Sequence, residues 1–106
     1  MSIRERIDGV SVDTQANVYF DGRCVSHTIR LADGTRKSVG VILPAKLTFE
    51  TGAPETMEIV AGRCRVKLRG SETVAEYRGG QSFDVPGSSA FEIEALEPVH
   101  YVCHFG

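Results

Sequence analysis

Turn-forming residues interrupt this chain at short intervals, and their spacing is the feature that most restricts its fold. Glycine or proline recurs about every eight to twelve residues, as in chains built from short strands. No segment of about ten residues or more shows the apolar period of a helix. A chain of 106 residues has the size of one domain. The spacing therefore predicts a single all-β domain, either a sandwich or a barrel.

The clearest local signal is Asp33-Gly34, which lies between two β-rich arms. Asp-Gly favours a tight hairpin because both central positions of such a turn adopt positive φ. The predicted arms are Cys24–Leu31 and Arg36–Leu43, and Pro44 ends the second arm because it cannot donate a backbone hydrogen bond. A second hairpin is predicted to turn near Ala61-Gly62. The other predicted strands are 46–50, Val74–Tyr77, Gln81–Val85, Ala90–Ala95 and Val99–Phe105.

Composition and charge argue against several classes of function. The net charge of −2 provides no electropositive surface for nucleic acid or an anionic membrane. No apolar run approaches the ~20 residues of a membrane span, and no apolar stretch of a signal peptide follows the charged start "MSIRERIDGVSV". Cys24, Cys64 and Cys103 are odd in number and far apart, which favours reduced thiols over a disulfide framework. We expect a cytoplasmic protein with no nucleic-acid or membrane partner.

Basic residues alternate with apolar ones along one predicted strand, at Arg63, Arg65, Lys67 and Arg69. A period of two places these four cations on one face of the strand. Such a face would suit a phosphate or nucleic-acid surface. It is also typical of a solvated face whose charge is balanced by Glu92 and Glu94 on another strand, at ~0.2–1 kcal/mol per pair. We favour the solvated face.

The three histidines, His27, His100 and His104, do not have the spacing of a metal site. His100 and His104 share a face of one predicted strand, but at about 3.3 Å per residue they lie ~13 Å apart. Ligands of one metal ion each lie ~2 Å from it, and nothing in "VHYVCHFG" indicates a bulge that would bring the two together. No serine or cysteine lies in a nucleophile elbow. We therefore expect no metal and no other cofactor.

Two spacings resemble the two motifs of a cupin barrel. The first consists of Gly40, Lys46-Leu47-Thr48, Glu55 and Gly62, and the second of Gly80, Pro86 and Phe91. A metal-binding cupin has histidines where this chain has Lys46, Thr48 and Phe91. The resemblance implies a single-domain cupin, a jelly-roll β-barrel, that has lost its metal ligands.

Several separated blocks give a more specific resemblance. The blocks are "NVYFDGRCVS", "SVGVI", "LTFETGAPETMEIVAG", "GQSFDVPGSSAFEI" and "YVC". Together they are similar to the small cupin family of pyrimidine/purine nucleoside phosphorylases. The resemblance implies a metal-independent enzyme that uses inorganic phosphate to cleave purine and pyrimidine nucleosides to the free base and (deoxy)ribose 1-phosphate. It also implies a cupin domain at residues 17–106, which leaves residues 1–16 as a loose arm or an edge strand.

The cupin frame and the strand faces together predict six site residues. We expect Glu55, Thr48 and Tyr101 to be catalytic, and Arg36, Ser38 and Phe91 to bind substrate. Glu55 would bind ribose hydroxyls, and Thr48 would donate a hydroxyl to phosphate or sugar. Arg36 and Ser38 share a strand face, and an arginine fork matches the geometry of phosphate. Phe91 would stack on a base, and the Tyr101 hydroxyl would point inward and require a partner.

Each of these residues also has a structural interpretation. Glu55 fits an exposed loop edge and Thr48 an ordinary strand position, while Arg36 lies beside a turn that it would simply flank. Phe91 fits core packing, and the partner of Tyr101 would then be another protein group. Lys46, at a strand start, is better explained as a solvated cation than as a site residue.

The strand "KLTFE" carries two conflicting signals. Binary patterning places Leu47 and Phe49 in the core and Lys46 and Thr48 outside. The cupin frame places Lys46 and Thr48 inward. Both hold if Leu47 and Phe49 pack against another sheet or another subunit. Because cupin dimers often bury that outer face, the resemblance implies a homodimer.

Three functions are open on these observations. Nucleoside phosphorolysis, with nucleosides and inorganic phosphate as the partners, is the one that the resemblance implies. A non-catalytic cupin that binds a small metabolite accounts equally well for the lost metal ligands. A metal-dependent cupin oxygenase or isomerase is disfavoured by the histidine spacing.

Overall fold

A computed structural model of the chain describes residues 6–106, which form eleven strands and one short turn of 3-10 helix at Phe20–Gly22. The strands are Ser11–Val12 (β1), Asn17–Tyr19 (β2), Cys24–Arg30 (β3), Arg36–Ile42 (β4), Lys46–Glu50 (β5), Glu55–Ala61 (β6), Arg63–Leu68 (β7), Ala75–Arg78 (β8), Ser82–Val85 (β9), Ala90–Ala95 (β10) and Val99–Phe105 (β11). The all-β prediction is confirmed. Within residues 6–106, no helix has the length and apolarity to cross a membrane.

The strands form two sheets in which every pair is antiparallel. The large sheet has the order β1-β3-β4-β11-β6-β9, and β2 also pairs with β3. The small sheet has the order β5-β10-β7-β8. From β4 onward the chain passes to the other sheet at every connection except the β7–β8 hairpin. The hydrogen-bonded strands thus make two separate sheets and not one closed barrel.

The core lies between the two sheets because side chains alternate between the faces of each strand. On the large sheet the inward apolar positions include Ile42, Met57, Ile59 and Val99, all at most 3% exposed. Ile93 and Val66 come from the small sheet. The three cysteines are free and buried. Around these residues, side chains fill the space between the two sheets.

The two predicted hairpins have different outcomes. β3 and β4 do pair around Asp33-Gly34, but only Gly34, with φ 88°, lies in the left-handed region. Gly34 N donates to Leu31 O and Leu31 N donates to Thr35 O, so this is a three-residue loop and not the tight turn expected. The hairpin at Ala61-Gly62 is wrong, because β6 and β7 belong to different sheets. Gly62, with φ 94°, makes the corner between them.

The inward orientation that the cupin frame gives Lys46 and Thr48 on β5 is also wrong, and the interpretation of Lys46 as a solvated cation is confirmed. Leu47 is 4% exposed and Phe49 is half-buried, whereas Lys46 and Thr48 are exposed. Lys46 Nζ lies 3.8 Å from Glu92 Oε1 at the surface. The binary pattern prevails because burying an unpaired ammonium costs far more free energy than burying an apolar side chain gains. The cupin frame therefore locates the turns correctly but assigns the wrong face of β5 to the interior.

Three smaller expectations can be placed on the structure. Ser11–Val12 pairs with β3 as an edge strand, while residues 1–5 of the N-terminal segment lie outside the described residues. The basic face of β7 is solvated, and Arg65 lies 3.7 Å from Glu94, although Glu92 pairs with Lys46 instead of Lys67. The pairing of β11 with β6 shifts register between His100 and Tyr101, a bulge that the sequence did not indicate.

Gly40 is a position within the large sheet that has no room for a side chain. It lies between Ser26 on β3 and Tyr101 on β11 in the pairing register. A Cβ at Gly40 would lie 2.7 Å from Ser26 Cβ, 2.7 Å from Val25 O and 2.9 Å from Tyr101 Oη. The Tyr101 hydroxyl therefore occupies space that any other residue at position 40 would fill.

Replacing Gly40 by alanine should destabilise the protein by about 1–3 kcal/mol, because overpacking forces neighbouring atoms to move. Urea unfolding, followed by circular dichroism, measures this free energy. Gly52→Ala is the matched control, since a Cβ there meets nothing within 4 Å and should change stability by no more than about 0.5 kcal/mol. Equal stability of the two variants would contradict the close packing of Tyr101 against position 40.

Candidate active site

A cleft of about 150 Å³ opens between the inner face of the large sheet and the edge of the small one. Its lining residues are Tyr19, Ser26, Ser38, Ile42, Phe49, Glu50, Glu55, Met57, Phe91, Tyr101, Cys103 and Phe105. Four of the six predicted site residues are among them. The cleft therefore brings Ser38, Glu55, Phe91 and Tyr101 together.

The register of the large sheet explains why hydroxyl groups collect on the cleft floor. Ser26 and Tyr101 flank Gly40, and Ser38 lies opposite Cys103 one row further along. Ser26, Ser38 and Tyr101 are 3%, 7% and 6% exposed. Three strands thus each supply one buried hydroxyl to the same face.

Buried hydroxyls need hydrogen-bond partners, and each of these has one in the protein, with Ser38 hydrogen-bonded to Cys103. Asn17 Nδ2 donates to Ser26 Oγ at 3.3 Å, and the Ser26 hydroxyl is also hydrogen-bonded to Tyr101. The Tyr101 hydroxyl lies 3.4 Å from Cys24 Sγ. Burial raises the pKa of the Tyr101 phenol above its ordinary value, so the hydroxyl keeps its proton at neutral pH.

Glu55, the first residue of β6, is the half-buried carboxyl group of the cleft, and Glu50, at the end of β5, is an exposed one. The Cys103 thiol donates a hydrogen bond to Glu55 Oε1 at 3.5 Å. Burial raises the pKa of the Glu55 carboxyl above 4.5, and the hydrogen bond from Cys103 only partly offsets this. Burial, together with the neighbouring carboxyl, raises the pKa of the Cys103 thiol to about 12. Cys103 is therefore a neutral donor and not a thiolate nucleophile.

Arg36 lies at the rim of the cleft and not in its lining. It is the first residue of β4, two residues before Ser38 on the same face, and it is exposed. Its guanidinium carbon lies 5.3 Å from the centre of the Phe105 ring, which lines the cleft. The ion pairs found among residues 6–106 do not include Arg36. The rim thus carries a cation that is available to an anion.

Aromatic rings form the other side of the cleft. Phe91 is 3% exposed and stacks on Phe49, with ring centres 5.5 Å apart and planes 22° apart. The edge of Phe83 packs against the other side of Phe91. Phe91 is therefore both a core residue and part of the cleft wall, and Phe49 lies between it and solvent.

Thr48 is the predicted site residue that the structure separates from the others. It lies opposite Glu92 on the outer face of the small sheet. There it lines a shallow surface groove with Lys67 and Arg69. Its hydroxyl cannot reach a ligand in the cleft, because β5 itself lies between them.

Sequence reasoning missed several residues of the cleft. Ser26 shares the inner face of β3 with Cys24 and Thr28, so the alternation of β3 would have revealed it. Tyr19 and Phe105 lie at strand ends, where sequence gives no indication of which rings border a cavity. Residues 6–106 contain no group of three or more His, Cys, Asp or Glu side chains placed to hold a metal ion.

Comparison with known proteins gives consistent matches. Residues 14–105 match the profile of a family described as pyrimidine/purine nucleoside phosphorylase. A protein of that name from Thiobacillus denitrificans is 69% identical over 95% of this chain and 98% of its own. A crystal structure of a protein of unknown function from Acinetobacter sp. has a TM-score of 0.93 at 52% identity, over 95% of this chain and 98% of that one. Oxalate decarboxylase from Bacillus subtilis has a TM-score of 0.67 at 14% identity, over 84% of this chain and 27% of that one, which supports a cupin-like fold alone.

The buried carboxyl in the cleft should make stability depend on pH. Because the folded-state pKa of Glu55 is raised above 4.5, its contribution to stability is present below pH 4.5 and is lost as pH rises through the folded-state value. Glu55→Gln removes this titration, so the variant should gain stability relative to wild type between pH 4 and pH 7. Urea unfolding at both pH values measures the difference, and Glu72→Gln, at an exposed position, controls for the loss of a surface charge. A difference in unfolding free energy between Glu55→Gln and wild type that is the same at both pH values would contradict the raised pKa of Glu55.

Proposed function

The chain belongs to the pyrimidine/purine nucleoside phosphorylase family, and we propose that its cleft is where inorganic phosphate cleaves a nucleoside to the free base and (deoxy)ribose 1-phosphate. The observation that supports this placement best is the convergence of two carboxyls, three hydroxyls and an aromatic wall in one cleft, with an available arginine at its rim. Phosphorolysis needs groups of these kinds and no protein nucleophile.

The reaction makes a bond from a phosphate oxygen to C1′ of the sugar and breaks the bond from C1′ to the base nitrogen. The electron pair of the broken bond leaves with the base. Hydrogen phosphate supplies the attacking oxygen and, in the net balance, also the proton that the base takes up. By analogy with glycoside hydrolysis, the sugar passes through a state resembling an oxocarbenium ion. The protein must therefore position two substrates, and positioning alone lowers a barrier by ~7–11 kcal/mol.

Four residues in the cleft or at its rim have roles in this scheme. Arg36 and Ser38 hold the phosphate, since a guanidinium can grip two of its oxygens and Ser38 lies two residues along the same face. Glu55 accepts hydrogen bonds from ribose hydroxyls. Tyr101, held protonated by burial, donates a hydrogen bond to the sugar or to the phosphate.

Three further properties belong to this proposal. The reaction is independent of metal, since Lys46 and Thr48, at two of the cupin's histidine positions, are exposed and Phe91, at the third, cannot coordinate a metal ion. The protein works in the cytoplasm, which suits its three free cysteines. The two sheets correspond to the two halves of a jelly-roll cupin barrel.

The direct test is base release from uridine by the pure protein, with and without phosphate and with and without EDTA. We expect uracil and ribose 1-phosphate when phosphate is present, and the same rate after chelation. Uracil release that stops on chelation would show that the protein is a metal-dependent cupin. No release from any nucleoside would leave a binding protein without this activity.

Truncating Arg36 tests where the phosphate lies. Losing a charge-assisted hydrogen bond typically costs ~1.5–3 kcal/mol, so Arg36→Ala should raise the KM for phosphate about ten- to a hundredfold and change the KM for uridine little. Steady-state kinetics with each substrate varied in turn provide the measurement. Arg78→Ala, which removes an exposed cation from the small sheet, should leave both values unchanged. If Arg36→Ala keeps the wild-type phosphate KM, the basic face of β7 becomes the next candidate.

We propose that the homodimer forms through the outer face of the large sheet. The face of β5 on which the dimer was predicted is not available, because Leu47 and Phe49 point inward. The outer face of the large sheet carries Val25, Val39, Val41, Val60 and Val102. Val39 in its centre is 39% exposed, and an apolar groove of about 370 Å³ crosses this face.

Light scattering tests the dimer. The wild type should have twice the chain mass of 11.5 kDa, and Val39→Glu should be monomeric because a buried, unpaired carboxylate opposes association. Val74→Glu is the control, at an exposed valine on the small-sheet side. A monomeric wild type, or a dimer that survives Val39→Glu, would contradict this interface.

A further inference from the structure

The turn that joins β2 to β3 has an unusual backbone. Asp21 and Gly22 have φ of 55° and 91°, and Arg23 N donates to Phe20 O at 3.2 Å. Positive φ at two central residues is the pattern of a type I′ turn, which Asp-Gly favours. The first residue of the turn, Phe20, also has positive φ, at 54°. The left-handed region is unfavourable for a bulky side chain, and the turn type does not require it there.

The strained backbone changes where the Phe20 ring lies. Neighbouring residues on a regular strand point to opposite faces, so Tyr19 and Phe20 should diverge. Both rings instead meet the same ring, that of Phe49. The ring centre of Phe20 lies 5.2 Å from that of Phe49, and the ring centre of Tyr19 lies 6.3 Å from it, both edge-on. Tyr19 lines the cleft. Positive φ at Phe20 brings its ring to the same side, where it packs on Phe49 next to the cleft without lining it.

This pair is not needed to close the core. Tyr19 and Phe20 are 46% and 42% exposed, so much of each ring faces solvent. A strained residue persists where the surrounding structure holds it in place, and such residues cluster at ligand sites. Positive φ at Phe20 thus lowers the stability of the fold, and burial of the two rings offsets little of that cost.

The size of the cleft indicates what the two rings would meet. Its volume of about 150 Å³ is below the roughly 300–1,000 Å³ of pockets that enclose a whole drug-sized ligand. The buried hydroxyls and Glu55 occupy the inner part. A sugar and phosphate bound to those groups leave no room beside them for a base, which must extend to the mouth.

We propose, on the premise of the proposed function, that Tyr19 and Phe20 form an aromatic rim that binds the nucleobase by its flat face. Every base has such a face, so stacking tolerates a change of base where hydrogen bonding to a base edge does not. The rim accounts for a site that takes both purine and pyrimidine nucleosides. Tyr19 and Phe20 bind the base, whereas the inner hydroxyls and Glu55 bind the part that all nucleosides share.

Kinetics of Tyr19→Leu and Phe20→Leu test the rim, with uridine and inosine as probes and phosphate varied separately. Stacking on one aromatic ring corresponds to about a tenfold effect or more. Both variants should therefore lose about tenfold in kcat/KM for each nucleoside, mainly through KM, with a larger loss for the purine because its face is larger. The KM for phosphate should not change. Val18→Ala, on the same strand and 62% exposed, should behave as wild type.

A second comparison separates binding from a purely structural role. Glycine adopts positive φ without strain, so Phe20→Gly should unfold at a temperature no lower than Phe20→Leu while losing at least as much activity. A purely structural role for the ring predicts the opposite. Phe20→Gly would then have the lowest unfolding temperature, and the folded fraction of each variant would have normal kinetics. That result would overturn the proposal. Unchanged kcat/KM in all three rim variants would overturn it as well. A wild type that cleaves neither nucleoside would instead reject the proposed function and the rim with it.

Discussion

Polar groups between two packed sheets must each find a partner, and this requirement organises the whole site. Asn17 donates to Ser26, the Cys24 thiol contacts the Tyr101 hydroxyl, and the Cys103 thiol donates to Glu55. Each pairing uses part of a group's hydrogen-bonding capacity and holds the group in place in the cleft lining. The floor is therefore stable without ligand and still able to bind one. Gly40 makes this arrangement fit, because a side chain there would displace the Tyr101 hydroxyl.

The cleft also contains features that oppose stability. Burial raises the pKa of the Glu55 carboxyl, so the folded state holds an ionised Glu55 at a cost near neutral pH. Phe20 holds a backbone conformation that a bulky residue rarely adopts. Glu55 lines the cleft, and Phe20 packs on Phe49, which also lines it. Local conflicts of this kind are expected where a sequence serves binding as well as folding.

Much of this architecture was predictable from local rules. β10 and β11 have the predicted bounds, and the inward positions of Ser38, Glu55, Phe91 and Tyr101 follow from strand alternation and the cupin frame. The frame failed at Lys46 and Thr48, where binary patterning was the stronger physical signal. Asp33-Gly34 and Ala61-Gly62 show that a turn can be located from sequence while its type and the sheets it joins depend on tertiary packing. Tyr19 and Phe20 could not be placed, because alternation predicts opposite faces and no propensity anticipates a left-handed phenylalanine.

The central claim is that one cleft binds phosphate at its rim beside Arg36, the sugar at its inner hydroxyls and the base at its aromatic mouth. A crystal structure of the protein with inosine and sulfate, used as a mimic of phosphate, tests it most directly. We predict sulfate on Arg36 and Ser38, the ribose against Glu55, and the base stacked on Tyr19 or Phe20. Inosine bound on the outer face of the large sheet, or in the surface groove beside Thr48, would contradict the account.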